Sequence, residues 1–367
     1  MKMFKKEDNI VVFANANMGD FVWATSAIYL IKQYNKNINI TLVTSKSFVD
    51  LIDKKFFKKV ITTNPKYHLN KNKFIRLFYK IYWLIKNYFS LKFNSLFFFL
   101  DISSFMAFSA KKILKIKNIV GPEILWFGYD CKNIDSKYYT VKIPLPKNQD
   151  KVHIMIRYQL LVRYMFPTYN LSIPKISDTC LLSNKFEEQY LKNTKKYKIA
   201  LCTSGSGEIK NWNINNFNKL IKLINKSFNS TFYVVGNSLK EIENGKFLVQ
   251  ENKDVDIRNL CGKTSLLELK TFLKDIDLLI SVDTGVIHLA AIYNIPTISL
   301  HGWAIPEKSM PINKNAVPMC AYRECSVRCS YNFFIGQGDK ECLKNPKCMQ
   351  DIVPEDVFNE VKKLLFK

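Results

Sequence analysis

A short apolar run, Leu278 to Val282, breaks at the corner Asp283-Thr284-Gly285 and is followed by helix-competent sequence from Val286 to Tyr293. The strand, corner and helix this implies are the unit from which open α/β sheets are wound, and such sheets take up ligands beyond the carboxyl ends of their strands. The helix start offers unpaired backbone N–H groups and a positive dipole end to an anion. Gly285 lets a phosphate approach the backbone, and His288, four residues after Thr284, lies on the same helix face. The same residues also suit a plain corner, with Asp283 as an N-cap, Gly285 as a turn residue and His288 as a satisfied core histidine.

The unit recurs along the chain. In the first half the strands are expected at Asn9 to Ala14, Ile38 to Val43, Lys59 to Thr62, Ser95 to Leu100 and Asn118 to Val120. Helices are expected from about Val22 to Tyr34, Lys46 to Ile52, Ser103 to Lys112 and Val152 to Phe166, while Tyr129 to Lys147 has little periodicity and reads as a surface excursion. The second half restarts with strands at Lys198 to Cys202, Thr231 to Val235, Val255 to Asn259 and Ile295 to Leu300, separated by helices such as Ile214 to Phe228 and Ser265 to Lys274. Short strands alternating with helices imply parallel sheets with right-handed crossovers. At 367 residues the chain suits two ordinary domains. The expected class is α/β, two Rossmann-like doubly wound domains facing a cleft, over residues 1–170 and 171–350, with a C-terminal helix over 351–367.

One segment departs from this rhythm. Between Asn70 and Lys92, Phe74, Ile75, Leu77, Phe78, Ile81, Tyr82, Trp83, Leu84, Ile85, Tyr88 and Phe89 interleave with Lys71, Lys73, Arg76, Lys80, Lys86 and Lys92. Such a helix can lie in a membrane interface, apolar side down and lysines among lipid phosphates, or pack on a core with surplus lysine outward. The net charge of +24 attracts polyanions in general, whether nucleic acid, anionic membrane or phosphorylated substrate. Met1 to Asp8 is charged and the apolar stretch Ile10 to Ala14 is too short for a signal peptide or a membrane span, so a cytoplasmic address is expected.

Two further loops can do chemistry. Thr203 to Trp212 follows a strand with small hydroxyls and glycines, so Thr203, Ser204 and backbone N–H groups can bind phosphate oxygens and Lys210 can neutralise a departing diphosphate. It is no Walker A loop, because no Ser or Thr follows Lys210. Asp20 stands at the entrance of the first helix after Asn15-Ala16-Asn17-Met18-Gly19, where an N-cap is the plain alternative. One carboxylate as base with a stabilised leaving group suffices for a single inverting displacement at a sugar carbon.

Asp283-Thr284-Gly285 followed by His288-Leu289-Ala290-Ala291, Pro296 and His301-Gly302, with Cys261-Gly262-Lys263-Thr264-Ser265-Leu266 upstream, resembles the signature of the lipopolysaccharide heptosyltransferases, glycosyltransferase family 9. Met18-Gly19-Asp20, Lys210-Asn211-Trp212 and Cys348-Met349-Gln350-Asp351-Ile352 resemble further motifs of that family, so the likeness spans most of the chain. The resemblance implies a GT-B architecture and inverting transfer of a heptose from an ADP-linked donor to the lipopolysaccharide inner core, peripherally on the cytoplasmic face of the inner membrane. The N-terminal domain would bind the acceptor and the C-terminal domain the nucleotide sugar. By motif position Asp20 would be the general base, Lys210 would stabilise the leaving diphosphate, Asp283 would hold donor sugar hydroxyls, and Thr284, Gly285 and His288 would contact phosphate. The family usually has a proline after the tryptophan, where this chain has Asn213.

Cys320, Cys325, Cys329, Cys342 and Cys348 crowd one segment, and four of them could bind zinc or iron tetrahedrally. Their spacing matches no zinc-knuckle pattern, so no metal ligands are assigned and no cofactor is expected. Relatives that heptosylate autotransporter proteins look to carry a cysteine-held iron in this region, which leaves a protein acceptor or another nucleotide sugar as an alternative. A basic nucleic-acid-binding protein is the alternative from another class. No helix-turn-helix, zinc-finger or RNA-stacking motif is evident for it, so no nucleic-acid partner is expected.

Overall fold

The computed structural model describes residues 9–15, 17–68, 70–100, 104–126, 130–132, 134–144, 152–165, 179–182, 190–302, 306–320 and 347–366. The chain divides into two compact units, Met1–Leu182 and Ser183–Lys367.

The first unit contains β1 (Asn9–Phe13), α1 (Met18–Tyr34), β2 (Asn39–Ser45), β3 (Lys59–Thr63), α2 (Pro65–His68), α3 (Lys73–Lys92), β4 (Leu96–Phe99), α4 (Ser104–Lys112), β5 (Asn118–Pro122), β6 (Ile124–Trp126), β7 (Asp130–Lys132), β8 (Val141–Ile143) and α5 (Ile154–Met165). Six strands form a parallel sheet in the order β3-β2-β1-β4-β5-β8, and β6 and β7 pair as an antiparallel hairpin. Strands covered on both faces read as unbroken apolar runs. β4 is such a run, and Phe99 stacks on Phe13 of β1 at 4.5 Å between ring centroids. β2 and β3 are joined by a 3₁₀ turn, Lys46–Leu51, where the sequence suggests an α-helix.

The second unit contains β9 (Tyr197–Cys202), α6 (Ile214–Ser227), β10 (Ser230–Val235), α7 (Leu239–Glu251), β11 (Ile257–Asn259), α8 (Leu266–Phe272), β12 (Leu278–Val282), α9 (Gly285–Ile292), β13 (Thr297–His301), α10 (Pro306–Ser309), β14 (Ala316–Cys320), α11 (Lys347–Gln350) and α12 (Pro354–Leu365). Its sheet is also parallel, in the order β11-β10-β9-β12-β13-β14. Counting only the strands of each six-stranded sheet in chain order, both sheets have the order 3-2-1-4-5-6, that of a dinucleotide-binding α/β fold. Both units are therefore Rossmann-like, as the sequence leads one to expect and as the GT-B class requires.

Helix boundaries follow local chemistry. Ser238 with Glu241 and Ser265 with Glu268 make reciprocal capping boxes at α7 and α8. Asn72 caps α3 and Asn213 caps α6, the latter accepting from the Asn215 N–H at 2.9 Å. Asn213 thus supplies from its side chain a helix start that a proline would supply from its fixed φ. Pro354 opens α12 in the same way.

Four strands lie where none is expected, the two of the β6–β7 hairpin and the two edge strands β8 and β14. Val141–Ile143 falls within the stretch read as a surface excursion, yet it pairs with β5 as an edge. Ala316–Cys320 closes the other sheet beside β13 with Pro318 in its middle. Only an edge strand tolerates such a proline, because the missing N–H faces away from the ladder.

Candidate functional site

In a parallel sheet of this order the strand sequence proceeds outward to either side of a switch point, and the crevice there receives ligands. In the second unit the switch point lies between β9 and β12, which pair directly. The loop after β9 and the corner after β12, both singled out from the sequence, are therefore neighbours.

Their side chains meet. Lys210 Nζ lies 2.9 Å from Asp283 Oδ2, with side chains only 19 % and 10 % exposed. Burial alone would raise the Asp283 carboxyl, but the Lys210 ammonium, His301 and His288 outweigh it and hold it below its ordinary value. His301, fully enclosed with Nε2 2.9 Å from Ser299 Oγ, is held below its own ordinary value by burial, Lys210 acting in the same sense and Asp283 opposing. The corner thus sets the Asp283 carboxylate against Lys210, with the enclosed His301 ring beside the pair.

The corner is a helix start without a side-chain plug. Thr284 occupies the N-cap position of α9 but makes no capping hydrogen bond, and Asp283, one residue earlier, turns to Lys210 instead of capping. Thr284 and Gly285 are half-buried, while His288 is buried one turn along the same face. The first N–H groups of α9 and the Thr284 hydroxyl suit a phosphate oxygen.

The facing loop is pinned from several sides. The Gly205 N–H donates to Asn211 Oδ1 at 2.9 Å and the Lys210 N–H to the Gly207 carbonyl at 3.0 Å. A side chain at Gly205 would come within 3.1 Å of the Asp283 carbonyl and 3.2 Å of the Lys210 stem, so glycine here permits the two loops to close on each other. The buried Trp212 donates from Nε1 to the Ile352 carbonyl at 2.8 Å and packs edge-on against Phe217, tying the loop to the segment before α12. Gly302 is in the same situation, since a Cβ there would strike the sulfurs of Cys348 and Met349. Distant sequence motifs thus converge on one core.

Thr203 and Ser204 are buried at the end of β9. Thr203 Oγ1 accepts from Asn244 Nδ2 at 3.1 Å, and Ser204 Oγ lies 3.5 Å from Ser238 Oγ. Behind them stands Glu241, a buried carboxylate not singled out from the sequence. It accepts from the N–H groups of Asn237 and Ser238, from the Ser238 hydroxyl and from the Cys202 thiol. The readable signal was the capping box Ser238-x-x-Glu241. Next to the loop, Asn211, Trp212, Asn213, Lys240, Asn244 and Gln350 line a cavity of about 480 Å³ with polar and apolar surface in similar measure, which neither Lys210 nor Asp283 lines.

Asp20 belongs to the first unit. α1 begins at Met18, four residues earlier than the apolar pattern suggests, which puts Asn17 at the N-cap and Asp20 in the first turn. A carboxylate there is favoured by the helix dipole. Asp20 is half-buried beyond the carboxyl end of β1, and β1 adjoins β4 at the switch point of its own sheet. Of the cysteines considered for a metal, Cys320 is half-buried and Cys348 buried, and Cys325, Cys329 and Cys342 lie outside the described residues. No cluster able to hold a metal occurs among the described residues.

Residues 127–332 match glycosyltransferase family 9 (heptosyltransferase). Over 351 residues the chain is 25 % identical to lipooligosaccharide heptosyltransferase 2 of Campylobacter jejuni subsp. jejuni serotype O:6, covering 95 % of this chain and 96 % of that one. Among solved structures it is similar to the Escherichia coli ADP-heptose lipopolysaccharide heptosyltransferase II, with a TM-score of 0.68, 17 % identity and 98 % of each chain covered. It is likewise similar to a family 9 glycosyltransferase from Veillonella parvula, with a TM-score of 0.72, 16 % identity and 100 % and 99 % of the chains covered.

Proposed function

The chain belongs to glycosyltransferase family 9, the heptosyltransferases, and we propose that it transfers a heptose from ADP-heptose to the lipopolysaccharide inner core with inversion, at the cytoplasmic face of the inner membrane. The buried Lys210–Asp283 pair at the switch point of the second unit is the observation that carries this reading. A cation held in a dry corner, beside small hydroxyls and an open helix start, is what a diphosphate leaving group needs.

In the proposed reaction the Asp20 carboxylate takes the proton of an acceptor hydroxyl. That oxygen attacks the anomeric carbon from the face opposite the diphosphate, the bond from that carbon to the phosphate oxygen breaks, and ADP leaves with its new charge met by Lys210. Asp283 accepts hydrogen bonds from donor sugar hydroxyls, and Thr203, Ser204, Thr284, Gly285 and His288 hold phosphate. Asp283 also keeps the Lys210 ammonium in place before the donor arrives.

A donor screen tests the reading. ADP-heptose, UDP-sugars and GDP-sugars are offered with intact and delipidated lipopolysaccharide, and nucleotide release is followed. Release from ADP-heptose alone, with ADP raising the unfolding temperature, is expected. At a hundred times Kd that protection amounts to about 2.7 kcal/mol. Release only from UDP- or GDP-sugars would replace the donor, and turnover only with a protein acceptor would replace the acceptor. Salt-sensitive duplex binding without ADP protection would replace the class.

A further inference from the structure

α3 is apolar on two opposite sides. Its inner side gives Trp83, Leu84 and Leu91 to the core of the first unit. The Trp83 indole N–H donates to the Thr62 carbonyl at 2.6 Å, and the Tyr79 hydroxyl accepts from the Asn64 N–H at 2.7 Å. At the far end Lys59 Nζ donates to Ser90 Oγ at 2.6 Å. With its inner side thus engaged, the helix carries Phe74, Phe78, Ile81, Tyr82, Ile85 and Phe89 on an outer arc of about 100°. Phe74, Phe78, Ile85 and Phe89 are 84 %, 76 %, 70 % and 74 % exposed. A helix lying on a soluble fold normally gives that side to charged residues.

The charge around the stripe has one sign. No Asp or Glu occurs between Asp53 and Asp101. Lys71 and Lys73 stand exposed at the start of the stripe, Lys86 at its margin and Lys92 near its end. A continuous aromatic strip bordered by exposed lysines fits a planar apolar layer beneath an anionic surface. No helix among the described residues is long and apolar enough to cross a membrane, so the geometry is that of a helix lying flat.

We propose that α3 docks the protein on an anionic lipid bilayer, its outer aromatics below the lipid phosphates and Lys71, Lys73, Lys86 and Lys92 among them. The placement also has chemical sense. The inner side of α3 braces Thr62 to Asn64 at the carboxyl end of β3, and Thr63 Oγ1 donates to Asn15 Oδ1 at 2.7 Å in the loop that leads to Asp20. The N-terminal half of the bilayer-facing helix and the proposed base therefore lie toward the same end of the sheet, where a lipid-borne acceptor would arrive. The inference deepens the membrane part of the proposed function, and its test does not depend on turnover.

The full chain is sedimented with vesicles of phosphatidylglycerol and phosphatidylethanolamine, or of phosphatidylcholine alone. Binding to the anionic vesicles is expected, together with a blue-shifted emission increment in Phe89→Trp. The double substitution Phe78→Ser/Phe89→Ser is expected to weaken partition by on the order of tenfold or more at unchanged unfolding temperature, because both side chains lie outside the core. Absence of wild-type binding, or equal binding by the double variant, overturns the proposal. So does a concentration-dependent dimer that the double substitution dissolves while neither protein binds vesicles. Loss of nucleotide release with vesicle binding intact would count against the transferase reading and leave this one standing.

Discussion

Replacing Lys210 with methionine keeps most of its bulk and removes its charge, which leaves the Asp283 carboxylate buried without its cation. Breaking such a pair from one side costs about 3 kcal/mol when a little solvent still reaches the lysine, as it does here. For a unit the size of residues 183–367 that corresponds to a fall of about 6–12 °C in Tm. The loss depends on pH in a definite direction. In the wild type the folded Asp283 carboxyl lies below its ordinary value, so its stabilisation is present above about pH 4 and is lost as pH falls through the depressed folded value. Without Lys210, burial is opposed only by His301 and His288, so the carboxyl moves upward from its wild-type position. The folded variant then takes up a proton as pH falls, and its deficit relative to wild type shrinks. Calorimetry is expected to show the widest gap at pH 7 to 8 and a narrower one near pH 5. The double variant Lys210→Met/Asp283→Asn is expected within about 1 kcal/mol of wild type, because an uncharged pair has nothing left to compensate. A gap that ignores pH, or a double variant as unstable as the single, would refute the reasoning.

Asp20→Asn is expected to lower kcat by about 10²–10⁴ with ADP affinity unchanged, measured by nucleotide release and calorimetric titration; undiminished turnover removes Asp20 from the role of base. Gly205→Ala forces a methyl toward the Asp283 carbonyl and the Lys210 stem, so ADP affinity should fall about tenfold and stability by about 1 kcal/mol, and unchanged affinity would dismiss the close approach as a constraint. Trp212→Phe leaves the Ile352 carbonyl without its indole donor and should cost about 1–3 kcal/mol, read by denaturant unfolding.

The α/β alternation was legible because strands buried on both faces leave apolar runs that no helix period imitates, as in Leu278 to Val282 and Phe97 to Phe99. β8 and β14 were not, because an edge strand need satisfy only one neighbour and can be three residues long or hold a proline. Lys210 and Asp283 were each readable from loop chemistry, but their ion pair depends on which strands adjoin, and strand order leaves no local trace. Glu241 was passed over for a related reason. A capping box reads as helix punctuation, and only the fold puts the same carboxylate against Cys202 behind Thr203 and Ser204. α3 resisted for the opposite reason. Its apolar pattern was plain, but with apolar residues nearly all round, periodicity could not say which side faced the sheet.

The indole of Trp212 rests on a carbonyl 140 residues further along the chain. During synthesis β9 and the loop after it emerge long before Ile352 exists, so that loop must wait, loosely formed, for its brace. Damage far downstream, by early termination or by a frameshift beyond residue 320, would therefore reach a loop whose own codons are intact.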